Sequence, residues 1–477
     1  MGRFHCDGLV IRDELNRQRI FRGVNVCLKE PHLKEKELRK QLLNKKQFEG
    51  FEKTGTNLIR LGVTWALLEP EKGKYNLEAL NVLDEFAAKC EKQGIFIMLD
   101  MHQDLFSHRF HGDGAPEWAV EYIKKAKPPF AVWAEGYFYM SSVQTAFYDF
   151  WSNAFNMQDD FFRCWEVFSN ALSNRENVIA CDYFNEPYPH ENGRKLFLSF
   201  LSEVLNLAYG KRINFEKYFK NTNEHFAFIK TVAKAASIIR TPKRFDKAMD
   251  KTENISEFSD IGKSLEKYTQ NFNSRYYEPF FKRACNDIGK DCLNAFEHNY
   301  YSNLGIPFYI DTRNIEENCV YSPHAYDIFV DSPLYDKYCS NSRIISIINT
   351  IRDNQLNMNV PVIFGEWGAN GKGEIFENHL SCIMELFEKY QWSSTYWGFD
   401  FKNKELEKVF NRPYPSAVCG DIISINTDYE ERTFELVWRQ EKACRVNDKV
   451  CNDIYIPDRG FVKLEGKAGE NIIKINY

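Results

Sequence analysis

The stretch VIACDYFNEP, residues 178–187, decides the fold of this chain. It is a short apolar run, rich in residues that favour strands, and it ends on the polar pair Asn185-Glu186. Runs of the same kind recur at FRGVNV (21–26), TNLIRLGV (56–63), GIFIMLDM (94–101), IPFYI (306–310), NCVYSPHAY (318–326), PVIFGEWG (361–368) and SSTYWGFD (393–400). Together they make eight, and helical periodicity separates some of them, most clearly at 77–93 and 343–354. Eight buried strands joined by crossovers predict an α/β fold, a (β/α)8 TIM barrel. The polar and ionisable residues Arg60, His102, Glu186, Tyr326, Glu366 and Trp397 cluster where the apolar runs end. In a barrel those ends form the catalytic face.

A barrel typically takes about 250 residues, and this chain has 477. Two segments account for much of the surplus. Between the fourth and fifth expected strands lie about 120 residues, too many for an ordinary loop. They predict a helical insertion at 191–272, in which Phe197, Phe200, Leu201, Val204, Leu205 and Ala208 share one helical face. Residues 211–250 carry ten Lys/Arg against four Asp/Glu. The insertion is expected to pack on itself, with docking on an anionic membrane surface as the alternative. Beyond residue 410 the pattern shifts to short alternating runs, which predict a small β-sandwich. The expected division is a barrel over 1–408, insertion included, and a C-terminal sandwich over 409–477.

Composition excludes several classes. With 44% hydrophobic and 15% aromatic residues the chain is not disordered. A net charge of −5 argues against a nucleic-acid binder. No apolar run reaches membrane-spanning length, and residues 1–19 lack the apolar core of a secretory signal. The 13 cysteines are odd in number and form no CxxC pair, and several lie in apolar runs (Cys27, Cys181, Cys319), which favours free thiols and a reducing compartment. The expected location is therefore cytoplasmic or peripheral to membranes, or secreted if a signal is missing from this numbering.

The sharpest chemical signal is Glu186 together with Glu366, each ending an apolar strand and 180 residues apart. Two carboxylates facing each other across a barrel mouth are what glycoside hydrolysis needs: one protonates the leaving oxygen, the other attacks the anomeric carbon or activates water. The cluster of His102, Asp104, His108, His111 and Asp113 suggests zinc, but its spacing matches no ordinary zinc pattern, and neither metal nor cofactor is expected.

At these residues the sequence resembles glycoside hydrolase family 5 of the retaining glycosidase clan, and within it the endoglycoceramidase-like subgroup. Arg60, His102, Asn185-Glu186-Pro187, His324-Ala325-Tyr326, Glu366 and Trp397 carry the family likeness. RGVNVCLKE (22–30), DMHQD (100–104), DGAPEWA (113–119), FYDFW (147–151) and RPYPSAVCG (412–420) carry that of the subgroup. The resemblance implies Glu186 as acid/base and Glu366 as nucleophile. Arg60 and Tyr326 would orient Glu366, Asn185 would bind the sugar 2-hydroxyl, and His324 would support the acid/base. Lys29, His102 and Asp104 would bind sugar hydroxyls, with Trp151 and Trp397 packed beside the sugar. The substrate implied is a glycolipid, cleaved between a β-linked sugar and a ceramide. The alternatives are a steryl-β-glucosidase, a cellulase-type endoglucanase and, from another class, an inactive glycolipid-binding protein. The aromatic segment FAVWAEGYFYM (130–140) is expected to wall a lipid channel or to pack on the barrel rim. Peripheral membrane contact is the partner interaction implied, and no obligate protein partner is evident.

Overall fold

The computed structural model describes residues 3–129, 132–289, 292–315, 318–441, 445–446, 449–450 and 452–477. Strands β1 (Phe4–Asp7), β2 (Val10–Asp13) and β3 (Arg17–Arg19) precede the first barrel strand, β4 (Arg22–Leu28). The barrel continues through β5 (Leu58–Thr64), β6 (Phe96–His102), β7 (Val178–Asp182), β8 (Leu293–Phe296), β9 (Cys319–Tyr321), β10 (His324–Ala325), β11 (Ile363–Gly368) and β12 (Ser393–Trp397). All neighbours in this sheet run parallel. β9 and β10 are two halves of one segment, with β9 paired to β8 and β10 to β11. The Tyr321 amide donates to the Pro361 carbonyl and the Gly365 amide to the Pro323 carbonyl, both at 2.9 Å, so the sheet closes on itself.

Seven of the eight expected strands fall on barrel strands. The fifth does not. Residues 306–310 alternate like a strand, with Ile306, Phe308 and Ile310 buried and Tyr309 exposed. Yet they pair with no strand, and the Phe308 amide donates instead to Asn354 Oδ1 at 3.2 Å on the helix Asn341–Met358. The fifth barrel strand is Leu293–Phe296, whose four residues include an asparagine and give a weaker pattern.

Inside the barrel, side chains alternate with period two, and four strands change from apolar to charged toward their C-terminal ends. Leu58 gives way to Arg60, Met98 to Asp100 and His102, Ala180 to Asp182, and Leu293 and Ala295 to Glu297. The apolar half forms one buried cluster that also takes in Phe4 and Ile11 of the β1–β2 hairpin. That hairpin stoppers the bottom of the barrel. Phe4, Phe21 and Phe96 meet edge to face at 5.3–5.6 Å, with the Arg19 guanidinium 5.4 Å over all three rings.

The C-terminal strands are β13 (Tyr414–Cys419), β14 (Asp421–Asp428), β15 (Thr433–Gln440), β16 (Arg445–Val446), β17 (Lys449–Val450), β18 (Asn452–Ile456), β19 (Gly460–Leu464) and β20 (Gly469–Asn476). A six-stranded sheet, in the order β1-β2-β3-β13-β18-β19, packs with the sheet β14-β15-β20 around Tyr414, Ile425, Leu436, Trp438 and Ile454. Residues 4–19, expected within the barrel, therefore complete the C-terminal sheet through β3 against β13. Cys27, Cys181 and Cys319 are thiols, as expected, whereas Cys419 is disulfide-bonded.

The segment after β7 is helical, as expected: Gly193–Tyr209, Glu224–Ile239, Pro242–Thr252, Ile255–Leu265 and Glu278–Asp287. No helix among the described residues is long and apolar enough to cross a membrane. Removing the stopper has a measurable cost. Phe4→Ala should destabilise the protein by about 3–5 kcal/mol in urea unfolding. A loss near zero would show that the hairpin does not seal the barrel.

Candidate active site

Arg60 stands at the centre of the barrel mouth, fully buried. Its Nη1 donates to Glu366 Oε1 at 2.8 Å and to Asn25 Oδ1 at 3.1 Å. Nη2 donates to Glu297 Oε1 at 2.8 Å and Asn185 Oδ1 at 2.9 Å, and lies 3.0 Å from Asp100 Oδ1. Nε donates to Asp182 Oδ2 at 3.0 Å. One guanidinium thus ties together five strands of the barrel. Burial disfavours its charge, but Asp100, Asp182, Glu366 and Glu297 outweigh that and raise its pKa well above the ordinary value.

Glu186 follows β7 in an unusual conformation. Its φ is +47°, a left-handed value in a non-glycine residue that also precedes a proline. Such a conformation persists only where its surroundings over-determine it. Here the Glu186 amide donates to Glu297 Oε2 at 2.7 Å. Gln103 Nε2 donates to the carbonyls of Asn185 and Glu186 at 2.8 and 3.3 Å, and Asn303 Nδ2 donates to Glu186 Oε1 at 2.6 Å. The carboxyl therefore points into the mouth from a fixed backbone.

Glu186, His324 and Glu366 each bring one atom into a group whose members lie within 4.8 Å of one another. His324 Nδ1 is 3.2 Å from Glu186 Oε1 and 3.6 Å from Glu366 Oε2, and its Nε2 is 3.3 Å from Glu297 Oε1. Tyr326 Oη donates to Glu366 Oε2 at 2.9 Å. Burial pushes the Glu186 carboxyl up to about 7; His324 opposes the shift, and Glu366 and Asp104 add to it. Burial works against the His324 imidazolium, but Glu297 and Glu366 hold its pKa well above the ordinary range. Glu297 stays below the usual carboxylate range, since His324 and Arg60 overcome its burial. Asp182 is driven the other way, first by burial and then by Glu297.

A second group lies across the mouth. The Lys29 ammonium pairs with Asp104 and lies 3.6 Å from Asp113 Oδ2 and 4.7 Å over the Trp397 ring. His102 stacks on Trp397 with centroids 5.2 Å apart and planes at 11°, and its Nδ1 is 2.8 Å from Asp100 Oδ2. Burial, reinforced by Asp104, pushes Asp113 up to about 7. His102, Asp104 and Asp113 meet as a metal trio would, but Lys29 already supplies a cation there. His108 and His111 point elsewhere, each bonded to a backbone carbonyl.

A cavity of ≈ 440 Å³ joins these groups. Its lining includes the polar groups of Lys29, His102, Asp104, Glu186 and Glu366 with Trp397, and also the apolar Val132, Trp133, Phe138, Leu304, Ile328 and Val330 beside Asp327, Asp331 and Ser332. Within the aromatic segment expected as channel wall or rim packing, Val132, Trp133, Ala134 and Phe138 line the cavity. Tyr137 and Tyr139 of the same segment are buried behind them, while Phe130 and Ala131 lie outside the described residues.

Ten of the eleven expected site residues come together here. Trp151 does not. Its indole is buried among Phe150, Phe184, Phe272, Tyr277 and Phe280, and its Nε1 donates to the Tyr188 carbonyl at 3.1 Å. An aromatic run in the sequence reads alike whether it faces a core or a cavity. Sequence reasoning also missed Glu297 and Asn303. Glu297 follows the short strand Leu293–Phe296, so the misplaced fifth strand hid it.

A carboxylate pair at the C-terminal mouth of a closed parallel barrel, anchored on one arginine, defines the glycosidase class of TIM barrels. Residues 21–403 match the cellulase family (glycosyl hydrolase family 5), and residues 412–469 match the glycoside hydrolase family 5 C-terminal domain. The chain belongs to glycosyl hydrolase family 5. It is 26% identical over 472 residues to endoglycoceramidase I of Rhodococcus hoagii, covering 97% of this chain and 82% of that one. It is 27% identical over 222 residues to an endoglycoceramidase of Cyanea nozakii, covering 41% of this chain and 44% of that one. The match thus spans less than half of that relative. The fold superposes on endo-glycoceramidase II from Rhodococcus sp. with a TM-score of 0.65 at 18% identity, covering 98% of this chain and 99% of that one.

The Arg60 hub makes a specific demand. Lysine keeps the charge but has neither the planar fork nor the number of donors needed to serve its acceptors. Arg60→Lys should lower unfolding stability by about 3–5 kcal/mol, the cost of leaving buried carboxylates unpaired. Denaturant titration of purified protein measures it, and wild-type stability would contradict the hub.

Proposed function

We propose that this protein is a retaining β-glycosidase that cleaves the bond between a β-linked sugar and the ceramide of a glycolipid. One observation carries the reading: two carboxyl groups close together in a cavity whose lining also includes Val132, Trp133, Phe138, Leu304, Ile328 and Val330. Retaining glycosidases hold their carboxyls about 5–5.5 Å apart, whereas inverting enzymes need about 6.5–9.5 Å to admit a water. Glu186 and Glu366 each offer an oxygen within 4.8 Å of the other, which supports the retaining reading.

In this reading a Glu366 oxygen attacks the anomeric carbon while Glu186 passes its proton to the departing ceramide oxygen. The C–O bond to ceramide breaks as the bond to Glu366 forms. Esterification then removes the Glu366 charge, and the Glu186 pKa falls because that charge had helped to raise it. Glu186, now a base, takes a proton from water, and the resulting nucleophile releases the sugar with its β configuration retained. Arg60 and Tyr326 fix the orientation of Glu366, and Asn185 meets the 2-hydroxyl. Lys29, His102 and Asp104 bind further hydroxyls, with Trp397 against the ring. The apolar wall formed by Trp133, Phe138, Leu304, Ile328 and Val330 takes the lipid. Relatives named endoglycoceramidase support this choice of substrate over polysaccharide.

Incubation with glucosylceramide, lactosylceramide, a ganglioside and cholesteryl glucoside, followed by chromatography, tests the assignment. Intact oligosaccharide release is expected if the enzyme acts endo, and glucose alone if it acts exo. Cleavage of cholesteryl glucoside alone would give the sterol alternative, and cleavage of soluble cellulose fragments alone would overturn the lipid reading. Glu366→Gln should abolish turnover while leaving glycolipid binding intact; unchanged turnover would sink the mechanism.

The pH dependence follows from Glu186. As the acid it must be protonated, so kcat/KM should fall as pH rises through about 7. In Glu186→Gln that alkaline limb should vanish, and turnover on glycolipid should drop by about 10²–10⁴-fold. An aryl glycoside with an acidic phenol leaving group should lose far less in its first step. Equal losses on both substrates would refute the acid role.

A further inference from the structure

We propose that the outer faces of two insertion helices, Glu224–Ile239 and Pro242–Thr252, seat the enzyme on an anionic lipid bilayer, with the cavity mouth beside the membrane. The purpose of such docking rests on the glycolipid reading, but the physical basis does not. The helix Glu224–Ile239 is apolar on two sides. Its inner side buries Ala227, Phe228, Thr231, Ala235 and Ile238. Its outer side leaves Phe226, Ile229 and Val232 exposed by 53%, 42% and 50%, with Ala233 and Ala236 exposed among them. Single exposed apolar side chains are ordinary on a protein surface, but a contiguous stripe along one helix marks an interaction face.

Cations flank the stripe. Lys230 and Lys234 lie beside it on the same helix, and Lys243, Arg244, Lys247 and Lys251 are exposed on the next. Residues 224–252 hold seven Lys/Arg against three Asp/Glu. Among the described residues none of these six cations has an ion-pair partner. Apolar side chains reaching the acyl boundary, ringed by cations at headgroup level, are what an interfacial helix presents to acidic lipid. A second copy of the chain would meet this face with the same positive charge in a twofold contact. A bilayer of acidic lipid complements it.

The same helices buttress the cavity mouth from behind. Phe228 stacks on Tyr139 at 4.4 Å, and Tyr139 Oη is 3.0 Å from His225 Nδ1. The Ser141 amide donates to Glu224 at 3.0 Å. Phe245 packs on Phe329 at 6.0 Å, and Tyr338 Oη donates to Asp246 at 2.7 Å. The segments they support, 132–140 and 327–332, contribute to the cavity lining, and Trp133 Nε1 bridges them by donating to Asp331 Oδ2 at 3.1 Å. The exposed faces therefore belong to helices in direct contact with the segments that line the cavity. The helix Gly193–Tyr209, for which packing was expected and membrane docking was the alternative, turns its apolar side chains inward. Its Phe197 is stacked on Phe138 at 4.0 Å, and Phe200 and Leu205 are buried.

Co-sedimentation of the full chain with vesicles free of glycolipid tests the proposal independently of catalysis. Vesicles of phosphatidylcholine alone are compared with vesicles that also contain phosphatidylserine. Wild-type protein should bind the acidic vesicles and be released by high salt. Phe226→Ser combined with Ile229→Ser and Val232→Ser, and separately Lys230→Glu combined with Lys234→Glu and Lys247→Glu, should each weaken binding by about tenfold or more. Both variants should keep the wild-type thermal midpoint and wild-type turnover of a soluble aryl β-glycoside. Failure of the wild type to bind acidic vesicles, or wild-type binding by both folded variants, would overturn the proposal. So would a dimer in solution that the serine variant dissolves. Protein that binds vesicles through this face but cleaves no glycolipid would support docking while overturning the substrate reading.

Discussion

Everything at the barrel mouth depends on one buried guanidinium. Arg60 contacts the carboxylates of Asp100, Asp182, Glu297 and Glu366 as well as the amides of Asn25 and Asn185. Burying so many acids together is affordable only with a fixed cation among them, because each ionised carboxylate left unpaired loses its hydration without compensation. Arginine suits the place, since its donors are rigidly directed and its charge persists. The proposed catalytic pair is held from this hub by two different routes. Glu366 is bonded to Arg60 directly, and Glu186 is reached through Glu297, which accepts from both Arg60 and the Glu186 amide.

That difference in attachment gives the two carboxyls different characters. Glu366 lies between a guanidinium and a phenol, both donors, which suits the nucleophile proposed for it. Glu186 receives Asn303 and the His324 ring on its side chain, yet burial and the nearby Glu366 keep its proton on up to near neutral pH. Environment rather than residue type separates the two carboxyls, as the proposed acid and nucleophile roles require. The left-handed φ of Glu186 belongs to the same design. A strained backbone aims the carboxyl, and Gln103, Glu297 and Asn303 hold the strain in place.

Most of the fold was legible because barrel strands are buried on both faces and read as unbroken apolar runs. The reading failed where this signal and the true pairing part company. Residues 306–310 alternate in burial as a strand does but bond to a helix, while Leu293–Phe296 carries too few residues to show a pattern. The same error hid Glu297. Trp151 was misassigned for a related reason: an aromatic residue near the mouth in sequence turned away into a core of five other rings. The N-terminal strands gave no hint that they would cross to the C-terminal sheet, since antiparallel pairing over some four hundred residues leaves no local mark.

By itself the sequence determined the barrel, the helical insertion, the β-rich C-terminus and the two carboxylates, because apolar periodicity and the residues that end each run are local properties. Only the tertiary structure decided how those carboxylates differ, which acid links Glu186 to Arg60, and which insertion helix turns an apolar face outward. Those outcomes depend on burial and on distances between groups remote in the chain, and neither is encoded in any short window of residues.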